Sequence, residues 1–132
     1  MNPAEIAQSF GTAHQIAYTR LSDTEIVLDS PVPGRRNQQV LIESVTNTLY
    51  NRKMVRVSSV VCPVSGQEDL SMLLEQSAYF NYCRFAIRNN KIVVEAVTRA
   101  DEAVSGLVDE IIMEVANLAD QYELKLTRRD LH

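Results

Sequence analysis

The sequence predicts an α+β domain, an antiparallel sheet with helices packed on one face, in the order α-β-β-β-α-β-β-α. Three observations lead there. Residues 83–99 ("CRFAIRNNKIVVEAVTR") are two β-rich runs folded about Asn89-Asn90, a pair that tolerates the positive φ of a tight hairpin turn. The C-terminal third repeats apolar residues at three- and four-residue spacing, the period of one helix face. Short connections between successive β-rich runs favour antiparallel neighbours, and helices with one apolar stripe each must bury it against the sheet.

Asn2, Pro3 and Glu5 open the first helix: Asn2 as N-cap, Pro3 where no amide hydrogen is needed, and Glu5 near the positive helix end. Ile6, Phe10, Ala13 and Ile16 would share one stripe, but Gly11 costs about 1 kcal/mol inside a helix and is expected to end it. Residues 24–29 ("TEIVLD") form the first strand, which Pro31 and Pro33, lacking amide hydrogens, are expected to close. The second begins near Gln38 ("QQVLIESV"), and the third is "KMVRVSSVVCP", halted at Pro63. A helix over residues 40–49 would also gather Val40, Leu41, Ser44, Val45, Thr48 and Leu49 on one side. Strand is preferred because valine and threonine are stiff at χ1 in helices.

Ser65-Gly66-Gln67-Glu68 has capping-box spacing and predicts a helix to about Phe80, with Leu70, Leu73, Leu74 and Ser77 inward and Glu75 and Gln76 outward. The last helix is expected over residues 102–123. Val104, Leu107, Val108, Ile111, Val115, Leu118, Ala119 and Tyr122 form its buried stripe, and Asp109, Glu110, Glu114, Asn117 and Gln121 a solvated face. Lys125, Arg128 and Arg129 follow and complement its negative end.

A two-residue turn at Asn89-Asn90 fixes the hairpin register. Cys83 faces Ala96, Phe85 faces Val94 and Ile87 faces Ile92, all on the core side. The other side carries Tyr82 beside Val97, Arg84 opposite Glu95, Ala86 opposite Val93, and Arg88 opposite Lys91. Tyr82, Ala86, Val93 and Val97 would leave an apolar strip in water, which makes them the candidate partner-binding residues. A homodimer seam, a client surface or cover from a neighbouring element would each account for that strip.

At 132 residues with 45% hydrophobic and 23% charged content, the chain suits one domain with one core. Its net charge of −4 opposes nonspecific attraction to nucleic acid or to an anionic membrane, so neither is an expected partner. Cys62 and Cys83 signal no disulfide framework and are expected to pack as small apolar residues. No apolar run approaches the ~20 residues of a membrane helix, and no leader pattern opens the sequence, so a cytoplasmic protein is expected. Two histidines, His14 and His132, give little material for a metal site or a catalytic triad, so no enzyme activity, cofactor or metal is expected. Arg35 and Arg36, after Gly34, are a candidate anion clamp.

The strings "GRRNQQV", "VRVSSVV", "LSMLLEQSAYFNYCRFAI" and "LADQYELKLTRRD", together with the order of elements, resemble the YbjN family of bacterial sensory-transduction regulators. The fold of that family is similar to that of class I type III secretion chaperones. The resemblance covers most of the chain. It implies a non-enzymatic domain that binds a protein client, commonly as a homodimer, and it brings no catalytic residue with it. In the chaperone relatives an extended client segment wraps a dimer and occupies apolar patches, for which Tyr82, Ala86, Val93 and Val97 are the expected equivalents.

Overall fold

A computed structural model describes residues 1–130, with side chains through Thr127. Along the chain lie α1 (Pro3–His14), β1 (Tyr18–Arg20), β2 (Glu25–Val32), β3 (Arg36–Asn47), β4 (Arg52–Pro63), α2 (Leu70–Ser77), β5 (Arg84–Arg88), β6 (Lys91–Arg99) and α3 (Ser105–Asp130). The strands form one six-stranded sheet, ordered β1-β2-β3-β4-β6-β5, with every neighbouring pair antiparallel. The α+β class and element order are as expected, with the three-residue β1 added at one edge. Residues 40–49, open to a helical reading, lie mostly in β3.

The core lies between one sheet face and the helices. Ile26 and Leu28 of β2 sit opposite Ile42 and Val40 of β3, and all four are buried with Val57 and Val94. Ile6 and Phe10 of α1 and Ile112, Val115 and Ala119 of α3 close over them. Period-two burial in β2 therefore meets period-3.6 burial in α3, as a two-layer core requires.

Several boundaries differ from expectation. Helix α1 passes through Gly11 and stops at Gln15, which takes the left-handed conformation while Gln15 and Ile16 both donate to the Gly11 carbonyl. Glycine is needed there for closeness: a Cβ would meet the Ile16 carbonyl oxygen at 2.8 Å. Pro31 does not end β2, which pairs through Pro31 and Val32 with Asn37 and Arg36 and stops just before Pro33. Because β1 reaches only Ile26–Leu28 of β2, no third strand needs the amide hydrogen that Pro31 lacks.

Helix α2 starts at Leu70, capped by the Asp69 carboxylate, and not at the Ser65 box. Glu68 does reach back to the Ser65 backbone and hydroxyl, at 2.7 and 2.6 Å, but these bonds close a turn before the helix. Those contacts hold the Glu68 carboxyl well down, at about 2. In α2 only Leu73 is buried, whereas Leu70 and Leu74 are exposed. Val104 precedes α3 and is exposed too; α3 runs beyond residue 123 and buries Tyr122 and Leu126 in its last turns. Lys125 lies within it, over the Tyr122 ring. The side chains of Arg128 and Arg129, and all of His132, fall outside the described residues.

Candidate functional site: a cleft beside the free sheet edge

The hairpin turn has the expected form, with φ of 52° at Asn89 and 62° at Asn90, and the register from Arg84–Glu95 to Arg88–Lys91 is as predicted. Its outer face is organised by charge. Glu95 is 0% exposed although no helix covers that side of the sheet, and it accepts hydrogen bonds from Arg84 at 3.1 Å and twice from Arg88. Burial pushes the Glu95 carboxyl up, but the hydrogen bonds and charges of Arg88 and Arg84 outweigh it and hold it below its ordinary value. The guanidiniums remain partly hydrated, with side-chain exposures of 64% for Arg84 and 40% for Arg88.

This fork explains the fate of the expected apolar strip. Arg88 lies two cross-strand pairs from Glu95, so its side chain must cross the intervening Ala86–Val93 pair to reach it. The aliphatic stem is then available to shield Val93, which is buried on a face without a helix and outside the main core cluster. Ala86 is half-buried, and Val97 is exposed in a row that runs Glu25, Glu43, Arg56, Val97. Tyr82 is not part of this face. It precedes β5 and turns to α3, where its hydroxyl donates to Glu110 and its backbone N–H to Glu114. The four residues named from sequence therefore do not assemble into one exposed patch.

Glu110 and Glu114, expected on a solvated face, fasten the loop into β5. The Glu114 carboxylate accepts from the backbone N–H groups of Asn81, Tyr82 and Cys83 at 3.1, 2.8 and 3.0 Å. Burial raises the affinity of Glu114 for a proton, but these donors prevail and its carboxyl sits below the ordinary value. The neighbouring Cys83 thiol is pushed strongly up, first by burial and then by Glu114. Both Cys62 and Cys83 are buried and make no disulfide.

The Arg35–Arg36 clamp is not assembled either. Gly34 and Arg35, both at positive φ, turn β2 into β3, and Arg36 then points under the sheet to Asp120 of α3. Its two bonds to that carboxylate, 3.2 and 2.7 Å, occupy the fork geometry an external anion would need. Both arginines remain exposed, Arg36 with 48% of its side chain accessible. Among the described residues, no group of three or more His, Cys, Asp and Glu side chains is placed to hold a metal ion.

What the structure does bring together is apolar. Helix α2 is only eight residues long and runs beside β5, the last strand of the sheet, without covering it. Between them lies an open cleft of about 280 Å³ lined by Leu70, Leu73, Leu74, Phe85, Ala86, Ile87 and Ile92. Leu73, Phe85 and Ile92 form its buried floor; Leu70, Leu74 and Ile87 stand 45%, 69% and 54% exposed. Partly in water, each of these three side chains forgoes roughly half of the ~1.5–3 kcal/mol that full burial would supply.

The strand beside this cleft is also free along its outer edge. With Arg88 and Lys91 closing a two-residue turn, alternate residues of β5 bond to β6, while Phe85 and Ile87 aim their backbone groups away from the sheet. The Ser77 hydroxyl takes the Phe85 N–H at 3.0 Å. The Phe85 carbonyl and both backbone groups of Ile87 are left facing outward, next to the exposed leucines. Sequence periodicity missed the cleft because it assigned Leu70, Leu74 and Ile87 to the core. The available signal was the Asp69 cap, which shortens the helix and leaves too little of it to cover the hairpin.

No family model matches the sequence, and no curated protein matches it. No helix among the described residues is long and apolar enough to cross a membrane.

Proposed function

We propose that the chain is a non-enzymatic protein-interaction module, a regulator or chaperone-like adaptor of the YbjN kind, that holds an extended segment of a client protein in the α2–β5 cleft. The observation that carries this reading is the coincidence of an unpaired strand edge with an apolar cleft at the same place. An extended chain laid along β5 gains main-chain hydrogen bonds at Ile87 and buries alternate side chains against Leu70, Leu74 and Ile87. The domain is proposed to act as a homodimer, with the second copy on the outer sheet face around Val60 of β4 and Val97 of β6, both exposed.

Leu74→Glu tests the client site with little effect on the fold, since Leu74 is largely in water. Affinity purification from the native cell, read by mass spectrometry, should recover a specific protein with the unaltered chain and lose it with Leu74→Glu. Equal recovery by both chains contradicts the assignment. Val60→Glu should convert a dimer to a monomer in light scattering, and a monomeric unaltered chain would dismiss the dimer.

A further inference from the structure

The cleft proposed above for a client has a second, charged border on the opposite side of the same strand. Arg84 and Arg88 project from β5 to the outer face, and Lys91 stands opposite Arg88 there. Of these three cations, Arg84 and Arg88 hold Glu95, which is fully buried and satisfied by them. Glu43 on the same face is held by Arg56 at 2.8 Å. Donors of Arg84 other than the one bound to Glu95 remain turned to solvent, with the side chain 64% exposed. The acids of α2 and its cap, Glu75 and Asp69, do not line the cleft.

We infer that the segment bound along β5 is an apolar–acidic alternating one: apolar side chains enter the cleft, and carboxylates at the intervening positions lie beside Arg84 and Arg88. This rests on the reading of the cleft as a client site. Side chains of a strand alternate between faces, so a chain paired to the edge at Ile87 places every second residue on the arginine side. Cross-strand neighbours of Arg84 and Arg88 would sit in close, non-hydrogen-bonded pairs, where opposite charges stabilise and like charges oppose. The same rule disfavours a second copy as occupant. Two β5 strands paired antiparallel about Ala86 set each Arg84 opposite the Arg88 of the other copy.

Three labelled peptides of alternating pattern test this by fluorescence anisotropy against the full chain: Val-Glu-Leu-Glu-Val-Glu, with serine or lysine replacing glutamate in the other two. The expected order is glutamate, then serine, then lysine, with about tenfold between the first and last from two strand pairs of modest strength. Rising salt should narrow that gap. Arg84→Gln, which leaves Glu95 held by both bonds from Arg88, should shrink the gap while circular dichroism shows an intact fold. Equal binding of the three peptides, lost in Leu74→Glu, overturns the acidic preference and leaves the cleft reading standing. Binding of none overturns both.

Discussion

Replacing Glu95 by glutamine keeps the side chain's shape and removes its charge from the centre of the outer face. The carboxylate accepts three hydrogen bonds, one from Arg84 and two from Arg88. An amide can keep its oxygen where both guanidiniums donate, but it loses the Arg88 Nε bond, turns an NH2 group against that donor and removes the charge from the other two, a loss equivalent to about two charge-assisted bonds. Such bonds contribute roughly 1.5–3 kcal/mol each when well buried. Both arginines are more than a third exposed and regain water when released, which roughly halves the loss. Glu95→Gln should therefore cost about 2 kcal/mol in urea or thermal unfolding, equivalent to roughly 6–10 °C in a domain of this size. The pH dependence adds a second readout. The Glu95 carboxyl is depressed in the fold relative to about 4.3 when unfolded, so its contribution is complete above that value and is lost as pH falls through the folded value. The gap between the two proteins should be constant above about pH 5.5 and close as the solution is acidified below about pH 4. A loss under ~0.5 kcal/mol, or a gap independent of pH, would refute the account of the outer face.

Glu114→Gln should loosen the loop into β5, seen as faster hydrogen exchange at Asn81, Tyr82 and Cys83 with the core amides unchanged; like Glu95, the depressed carboxyl stabilises above its unfolded value and stops doing so in acid. Leu73→Ala removes a buried side chain and should cost about 2–4 kcal/mol, whereas Leu74→Ala, two-thirds exposed, should stay within ~0.5 kcal/mol in the same unfolding assay. Cys83, buried and with its thiol pushed up, should resist alkylation in the folded protein at pH 8 and react once urea unfolds it.

The hairpin was legible because its register depends on local chemistry, two asparagines that accept positive φ and a period of two on either side. The failures share a different cause. Pro31 and Gly11 break rules about local propensity, yet neither ends its element, because the missing hydrogen of Pro31 has no strand to serve and Gly11 yields room for the returning chain. Glu114, Arg36 and Tyr82 were placed by helix periodicity, loop composition and hairpin register in turn, but their roles depend on partners 28 to 84 residues away, to which no spacing rule refers. Glu95 is the sharpest case: opposite Arg84 it reads as one surface pair, and only the reach of Arg88 across Val93 makes it a buried junction. That same reach removed the expected strip and left the exposed leucines of α2 as the apolar surface that asks for a partner.

Backbone and methyl chemical shifts followed during titration with the alternating glutamate peptide test the client site most directly. The account predicts saturable shifts at Leu70, Leu74 and Phe85 through Arg88, with the Ile87 amide gaining protection from hydrogen exchange. Shifts confined to Val60 and Val97 on the sheet face, or an Ile87 amide that exchanges as fast with peptide as without, would contradict it.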